Sequence, residues 1–295
     1  VSAVNDEPTA AADTKATPED TALSFPAADL LANDAAGPPN EAGQSLTVNS
    51  VQSPANGTVS LDAATVTFTP SANFNGSASF SYTIRDDGTS DGLADSKEAT
   101  GTVSVTVSGV NDAPTAAADA KATAEDTALT FPAADLLSND APGPGNEAGQ
   151  NVSVISVQGA ANGTVSLVAG AVTFTPPAEF NGAASFSYTV TDDGTSNGLA
   201  DPKEASGTVN VTVSAVNDAP SAVDDLQATA EDMVLSFPAA DLTANDSKGP
   251  ANEASQTLSV SSVQDAVGGT VSLVGTTITL TPSPDFHGSA SFSYT

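Results

Sequence analysis

The chain is 295 residues long, 39% apolar and free of cysteine and tryptophan, and its 36 Asp and Glu against 6 Lys and Arg leave a net charge of −30. Such a surface repels nucleic acid, whose partners need Lys and Arg to displace counterions. Without cysteine, neither disulfides nor thiolate-bound metals hold the fold, and no run of residues resembles a signal peptide or is long and apolar enough to span a membrane.

Along the chain, strand signals are numerous and helical ones nearly absent. A first strand is expected before Glu19-Asp20, and a short one at Leu23-Ser24-Phe25. Pro26–Leu31 is too short for more than a turn of helix or an irregular bend. Leu46-Thr47-Val48 supplies another strand, and Asn56-Gly57 leads into Thr58–Leu61. Ala63-Ala64 joins that strand to Thr65–Thr69 as a hairpin closed by Pro70. Ser79–Ile84 alternates polar and apolar, which places Phe80, Tyr82 and Ile84 on one buried face. After an Asp- and Gly-rich loop, Thr102–Val107 does the same with its three valines. This strict alternation separates the chain from disordered acidic sequences. Phe25, Leu30, Val51, Val59, Phe68, Phe74, Phe80, Tyr82, Val103 and Val105 form the expected core.

The pattern then recurs. Val4-Asn5-Asp6-Glu7-Pro8 returns as Val110-Asn111-Asp112-Ala113-Pro114 and Val216-Asn217-Asp218-Ala219-Pro220, a period of 106 residues (111 − 5 and 217 − 111). The excess charge belongs to the repeat: −11 in residues 1–106, −10 in 107–212 and −9 in 213–295, which sum to −30. The expected architecture is all-β: tandem seven-stranded antiparallel sandwiches in a linear array, with domains at 1–108, 109–214 and 215–295. The third lacks the last loop and strand of its sisters, so the chain reads as a piece of a longer protein. His287 stands where Asn75 and Asn181 stand in the other repeats and reads as a turn residue.

Strand alternation predicts where the carboxylates fall. The loops after the second and sixth strands share one end of a sandwich, so Asp34 is expected beside Asp86-Asp87, and Asp140 beside Asp192-Asp193, with Asp246 alone in the third repeat. Glu19-Asp20 and Glu125-Asp126 are expected at the opposite end, near the linkers Asn111-Asp112 and Asn217-Asp218. Like charges at such distances raise one another's pKa unless a cation neutralises them. Oxygen-only ligands with neither Cys nor a usable His favour a hard ion, Ca²⁺ before Mg²⁺. Turn formation and solubility alone are the plainer account of the same residues.

The Val-Asn-Asp-x-Pro boundaries, Glu-Asp-Thr after the first strand, Leu-x-Asn-Asp before the third and Phe-Ser-Tyr-Thr-x-x-Asp-Asp-Gly near the end resemble the cadherin-like, bacterial Ig-like tandem repeats of giant RTX-type surface adhesins exported by type I secretion. The resemblance spans the whole chain. It implies Ca²⁺ at the junctions, held at the first by Glu19, Asn111, Asp112, Asp140, Asp192 and Asp193 and at the second by Glu125, Asn217, Asp218 and Asp246. Asp6, Asp20, Asp34, Asp86, Asp87 and Asp126 complete the candidate metal set. The aspartate usual two residues after Asn-Asp is replaced here by Ala36, Pro142 or Lys248, and the loop runs on to Asn40-Glu41, Asn146-Glu147 and Asn252-Glu253.

Three classes of function follow. The leading one is a non-catalytic extracellular stalk on a bacterial surface, whose partners are its own neighbouring repeats, stiffened by Ca²⁺. The alternative is self-association into a fibre or biofilm matrix, with glycan binding weaker because sugar sites need aromatic platforms and the three tyrosines share one core position. An enzyme is the least supported class, since a lone histidine cannot serve a repeated catalytic site.

Overall fold

The alternating segments fold as strands in the computed structural model, which describes residues 4–295; residues 1–3, where the first expected domain begins, lie outside the described residues. In the first repeat the strands are β1 (Asp13–Pro18), β2 (Leu23–Pro26), β3 (Leu46–Ala55), β4 (Gly57–Asp62), β5 (Thr65–Pro70), β6 (Gly76–Asp86), the two-residue β7 (Thr89–Ser90) and β8 (Leu93–Ala94), and β9 (Glu98–Ser108). One sheet has the order β1-β9-β6-β3 and the other β2-β5-β4. β6 and β9 pair antiparallel from Gly76 opposite Val107 to Arg85 opposite Glu98. β1 instead runs parallel to β9, with Asp13 opposite Val103 and Pro18 opposite Ser108. The reason is parity: among seven main strands of alternating direction the first and last point the same way, so pairing them leaves no antiparallel choice.

Period-two alternation selects the core. Phe80, Tyr82 and Ile84 of β6, Val103, Val105 and Val107 of β9, and Val66 and Phe68 of β5 are all buried, each contributing about 1.5–3 kcal/mol by leaving water. Phe68 and Phe80, from opposite sheets, stack with centroids 5.8 Å apart. Phe25 and Leu30 are buried as expected, while Val51, Val59 and Phe74 are partly buried against the cluster. Val66 and Ile84 are fully buried and missing from the expected core, although alternation places Ile84 on a buried face. Gly101 sits opposite Tyr82, and a Cβ there would lie 2.5 Å from the tyrosine ring; the position has room for no side chain.

The β4–β5 hairpin closes on Ala63 and Ala64, at φ 45° and 71°, the two left-handed residues that a type I′ turn demands. The expected turn of helix is a 3₁₀ segment, Ala27–Leu31, and a second at Pro39–Glu41 lies in the loop before β3.

The strand complement recurs through the second repeat, from Asp119–Ala124 to Glu204–Ser214. Contacts divide the chain into two units, one comprising the chain up to Asp119 with Pro132–Val157 and Ser187–Thr208, the other Ala120–Phe131, Gln158–Phe186 and Val209–Thr295. In the third repeat Leu235–Pro238, Gly269–Val274 and Thr277–Pro282 make one sheet, and Val263–Val267 pairs with Ser291–Tyr294. Residues 225–230, the counterparts of β1, form no strand. Their partner in the other repeats is the final strand, which lies beyond Thr295 in the repeat pattern.

Candidate functional site: the junctions between repeats

At the first junction the buried side chain is Glu19, 3% exposed. Its backbone N–H continues the parallel ladder by donating to the Ser108 carbonyl at 2.9 Å. Its carboxylate then accepts from the Val110 N–H of the linker at 2.7 Å and from Asn146 Nδ2 of the next repeat at 3.1 Å. Glu125 does the same at the second junction, accepting from Val216 N at 2.6 Å, Asn252 Nδ2 at 3.0 Å and Asn181 Nδ2 at 3.2 Å. These carboxylates are satisfied by protein donors that tie one repeat to the linker and to its successor. A cleft of about 430 Å³ beside Glu19 is lined by Asn75, Val110, Asn146, Glu147, Thr195 and Asn197.

The linker is held mainly by the repeat that follows it. Asn111, 3% exposed, donates from Nδ2 to Asp192 Oδ1 at 2.7 Å and to the Asp201 carbonyl at 2.9 Å, and accepts from Gln150 Nε2 at 2.7 Å. Asp112 N–H donates to Glu147 Oε1 at 2.8 Å. The second oxygens of Asp112, Glu147 and Asp192 are buried without a hydrogen-bond partner, and so are those of Asp218 and Glu253. Burial, reinforced by Asp112 and Asp192, pushes the Glu147 carboxyl up from its usual range.

One group of three acidic side chains among the described residues brings its ligand atoms within 4.8 Å of one another: Asp126, Glu179 and Asp218, at the second junction. Asp126, at φ 56° just past the first strand, accepts from the Glu179 N–H at 3.0 Å and so anchors the loop that presents Glu179. Desolvation first, then the charges of Asp126 and Asp218, raise the Glu179 pKa. At the first junction the same repeat positions hold Asp20, Asn73 and Asp112, with Asn73 N–H donating to Asp20 Oδ1 at 3.0 Å.

The remaining candidates take other partners. Asp34 and Asp86, expected as neighbours, do not share a site. The 3₁₀ turn folds Asp34 back onto the sheet, where it accepts from Ala11 N–H at 2.8 Å and from the Tyr82 hydroxyl at 3.1 Å. Asp140 accepts likewise from Ala117 N–H and Tyr188, and Asp246 from Val223 N–H and Tyr294. Asp86 accepts from Asn5 Nδ2, Gly88 N and Lys97 N, as Asp192 does from the counterparts Asn111, Gly194 and Lys203. Asp87 and Asp193 hold the start of the strand after the long loop, through Ser45 N and Asn151 N. Asp6 N–H donates to Glu41 and Asp218 N–H to Glu253, while exposed Asn217 accepts from Gln256 Nε2 at 2.8 Å. Glu41, Glu147, Glu253 and the Asn before each were visible as the repeated Asn-Glu dipeptide, but a glutamate this buried looks in sequence like any loop carboxylate, and Gln44, Gln150 and Gln256 were not singled out. Glu179 carried no repeat signal at all, because its counterparts are Asn73 and Asp285.

A family model described as a cadherin-like domain matches residues 4–107, 110–213 and 216–295. Among solved structures the chain is similar to extracellular cadherin domains 3–6 of protocadherin gamma B2, at 16% identity over 72% of this chain and 53% of that one, with a TM-score of 0.35. It is similar also to the human desmocollin-1 ectodomain, at 12% identity over 94% and 54% with a TM-score of 0.29. A third likeness is to domains EC1–4 of Drosophila N-cadherin, at 15% identity over 95% and 68% with a TM-score of 0.30. The chain spans about half the length of the first two. No curated protein matches it.

Proposed function

This chain belongs to the cadherin-like domain family, and from that premise we propose that it is a non-catalytic extender of a bacterial surface adhesin. In this reading residues 1–108, 109–214 and 215–295 are its links, working outside the cell with Ca²⁺ at their junctions. The observation that carries the reading is the Asp126, Glu179 and Asp218 group, whose ligand atoms lie within 4.8 Å of one another at the second junction. Three carboxylates so close repel one another, and the charges of Asp126 and Asp218 add to desolvation, the larger cause, in raising the Glu179 pKa. The donor set fits the ion: hard oxygens from three separate segments suit Ca²⁺, which accepts six to eight oxygen ligands in flexible geometry. A buried, partnerless oxygen on Asp218 supports it further.

At the second junction Asp126, Glu179 and Asp218 would hold the ion, and at the first Asp20, the Asn73 carboxamide and Asp112. The ion's contribution is charge neutralisation and cross-linking of three segments. The protein's own contribution is to aim them: Asp126 fixes the Glu179 loop, and Glu253 fixes the linker through the Asp218 N–H. Thermal melting and small-angle scattering in Ca²⁺ and in EDTA test this. Stability should rise by about 2.7 kcal/mol when free Ca²⁺ is 100 times its dissociation constant, and scattering should report a stiffer chain. Melting curves and scattering profiles that coincide in the two buffers would overturn it.

A further inference from the structure

Linker residue Asn111 is wrapped by a hairpin that the metal reading does not use. Thr195–Ser196 pairs with Leu199–Ala200, joined through Asn197 and Gly198 at φ 55° and 77°, the two left-handed positions of a type I′ turn. Asn197 N–H donates to the Gly109 carbonyl at 3.0 Å, and Ser196 Oγ accepts from the Asn111 N–H at 2.8 Å. On either side of the hairpin, Asp192 before it and the Asp201 carbonyl after it take up the Asn111 side-chain amide. The hairpin's base is braced in turn, with Ser196 Oγ donating to Asp201 at 2.5 Å and Lys203 Nζ to the same carboxylate at 2.8 Å. Gly194 leaves the space that Asn111 enters, since a Cβ there would lie 1.8 Å from Asn111 Oδ1.

We propose that this hairpin is a latch that fixes the linker Gly109–Asp112 onto the second repeat without a cation. The arrangement is not particular to one linker. Asn5, also 3% exposed, donates its N–H to Ser90 Oγ at 3.0 Å and its side-chain amide to Asp86 and the Asp95 carbonyl. The other bonds to this linker run to groups outside the hairpin: Val110 N–H meets Glu19, and Asp112 N–H meets Glu147. The hairpin therefore adds its own contacts, through Ser196 and Asn197, to those that tie the linker to the first repeat and to the long loop of the second. A latched linker moves with the repeat after it, so bending at the first junction is confined to the side facing the first repeat, where Glu19 and the proposed ion act.

Residue-resolved hydrogen exchange in EDTA reads the Asn111 N–H directly. In Gly194→Ala, whose methyl would fill the space of the Asn111 amide, its exchange should speed up by about tenfold or more, the signature of a lost opening step, while amides within Gly182–Asp192 keep their protection; an unchanged rate would overturn the latch. Ser196→Ala, which removes the hydroxyl that accepts from Asn111 and donates to Asp201, should give the same rise. An unchanged Asn111 rate in a folded Ser196→Ala chain would likewise sink the proposal.

Discussion

Replacing Glu125 by alanine removes the acceptor that three donors share: Val216 N–H, Asn252 Nδ2 and Asn181 Nδ2. Hydrogen bonds to a charged group are each worth about 1.5–3 kcal/mol. Asn181 and Asn252 are exposed, so their amides return to water at small cost, and most of the loss comes from the linker N–H and the emptied buried site. The expected destabilisation is about 2–3 kcal/mol, or roughly 10–20 °C in the melting transition of the affected repeats at about 4–8 °C per kcal/mol. Glu125→Gln keeps one oxygen for Val216 N–H and should lose about half as much. The decisive comparison is a double-mutant cycle with Asn252→Ala, run in chelator so that no ion contributes. Asn252→Ala should cost about 0.5–1 kcal/mol in the unaltered chain and nothing in Glu125→Ala. Equal costs in the two backgrounds would show that Glu125 does not bridge the repeats, and the direct hydrogen-bonded part of the junction would be refuted.

Three other perturbations test the sandwich itself. Ala64 holds a left-handed conformation at φ 71° where the second repeat has Gly170, so Ala64→Gly should stabilise the first repeat by about 0.5–1 kcal/mol, and a lower melting temperature would contradict the turn assignment. Gly101→Ala drives a methyl to within 2.5 Å of the Tyr82 ring and should cost about 2–3 kcal/mol by overpacking, read from denaturant midpoints. Burial, aided by Asp13, raises the Asp34 pKa above 3.8 despite the bonds from Ala11 and Tyr82. A raised carboxyl favours the fold when protonated, so this contribution is fullest at acid pH and is lost as pH rises through the folded-state value. Melting temperatures in EDTA from pH 3 upward, for the unaltered chain and Asp34→Asn, should therefore diverge in favour of the variant toward neutral pH; parallel curves would contradict the burial argument.

The sheets were legible because one side of each is buried: Phe80, Tyr82 and Ile84 announce β6 by alternation alone, and the period of 106 residues carries that reading to the next repeat. Val66 escaped the expected core because β5 also alternates with threonines, which fit either face of a strand. The hairpin at Thr195–Ala200 escaped notice although Asp91-Gly92 and Asn197-Gly198 are strong turn dipeptides, since its strands are two residues long and give no periodicity. For the site, the sequence brought Glu19 and Glu125 to their linkers but could not tell a hydrogen-bonded carboxylate from a ligand. Asp34 and Asp140, expected beside Asp86-Asp87 and Asp192-Asp193, accept instead from Tyr82 and Tyr188, because strand order fixes the end at which a loop lies and not the partner its side chain takes. Asp126 and Asp218 came from repeat positions, and Glu179 joined them because it interrupts the repeat.

Calorimetric titration of Ca²⁺ into the chain, and into Asp126→Asn and Asp218→Asn variants at constant ionic strength, bears on the junction most directly. Saturable binding that weakens by about tenfold or more in either variant is the predicted result, as expected when one charged ligand of a hard cation is neutralised. Heats no larger than dilution into buffer, or isotherms that coincide across the three proteins, would contradict the calcium-stiffened junction.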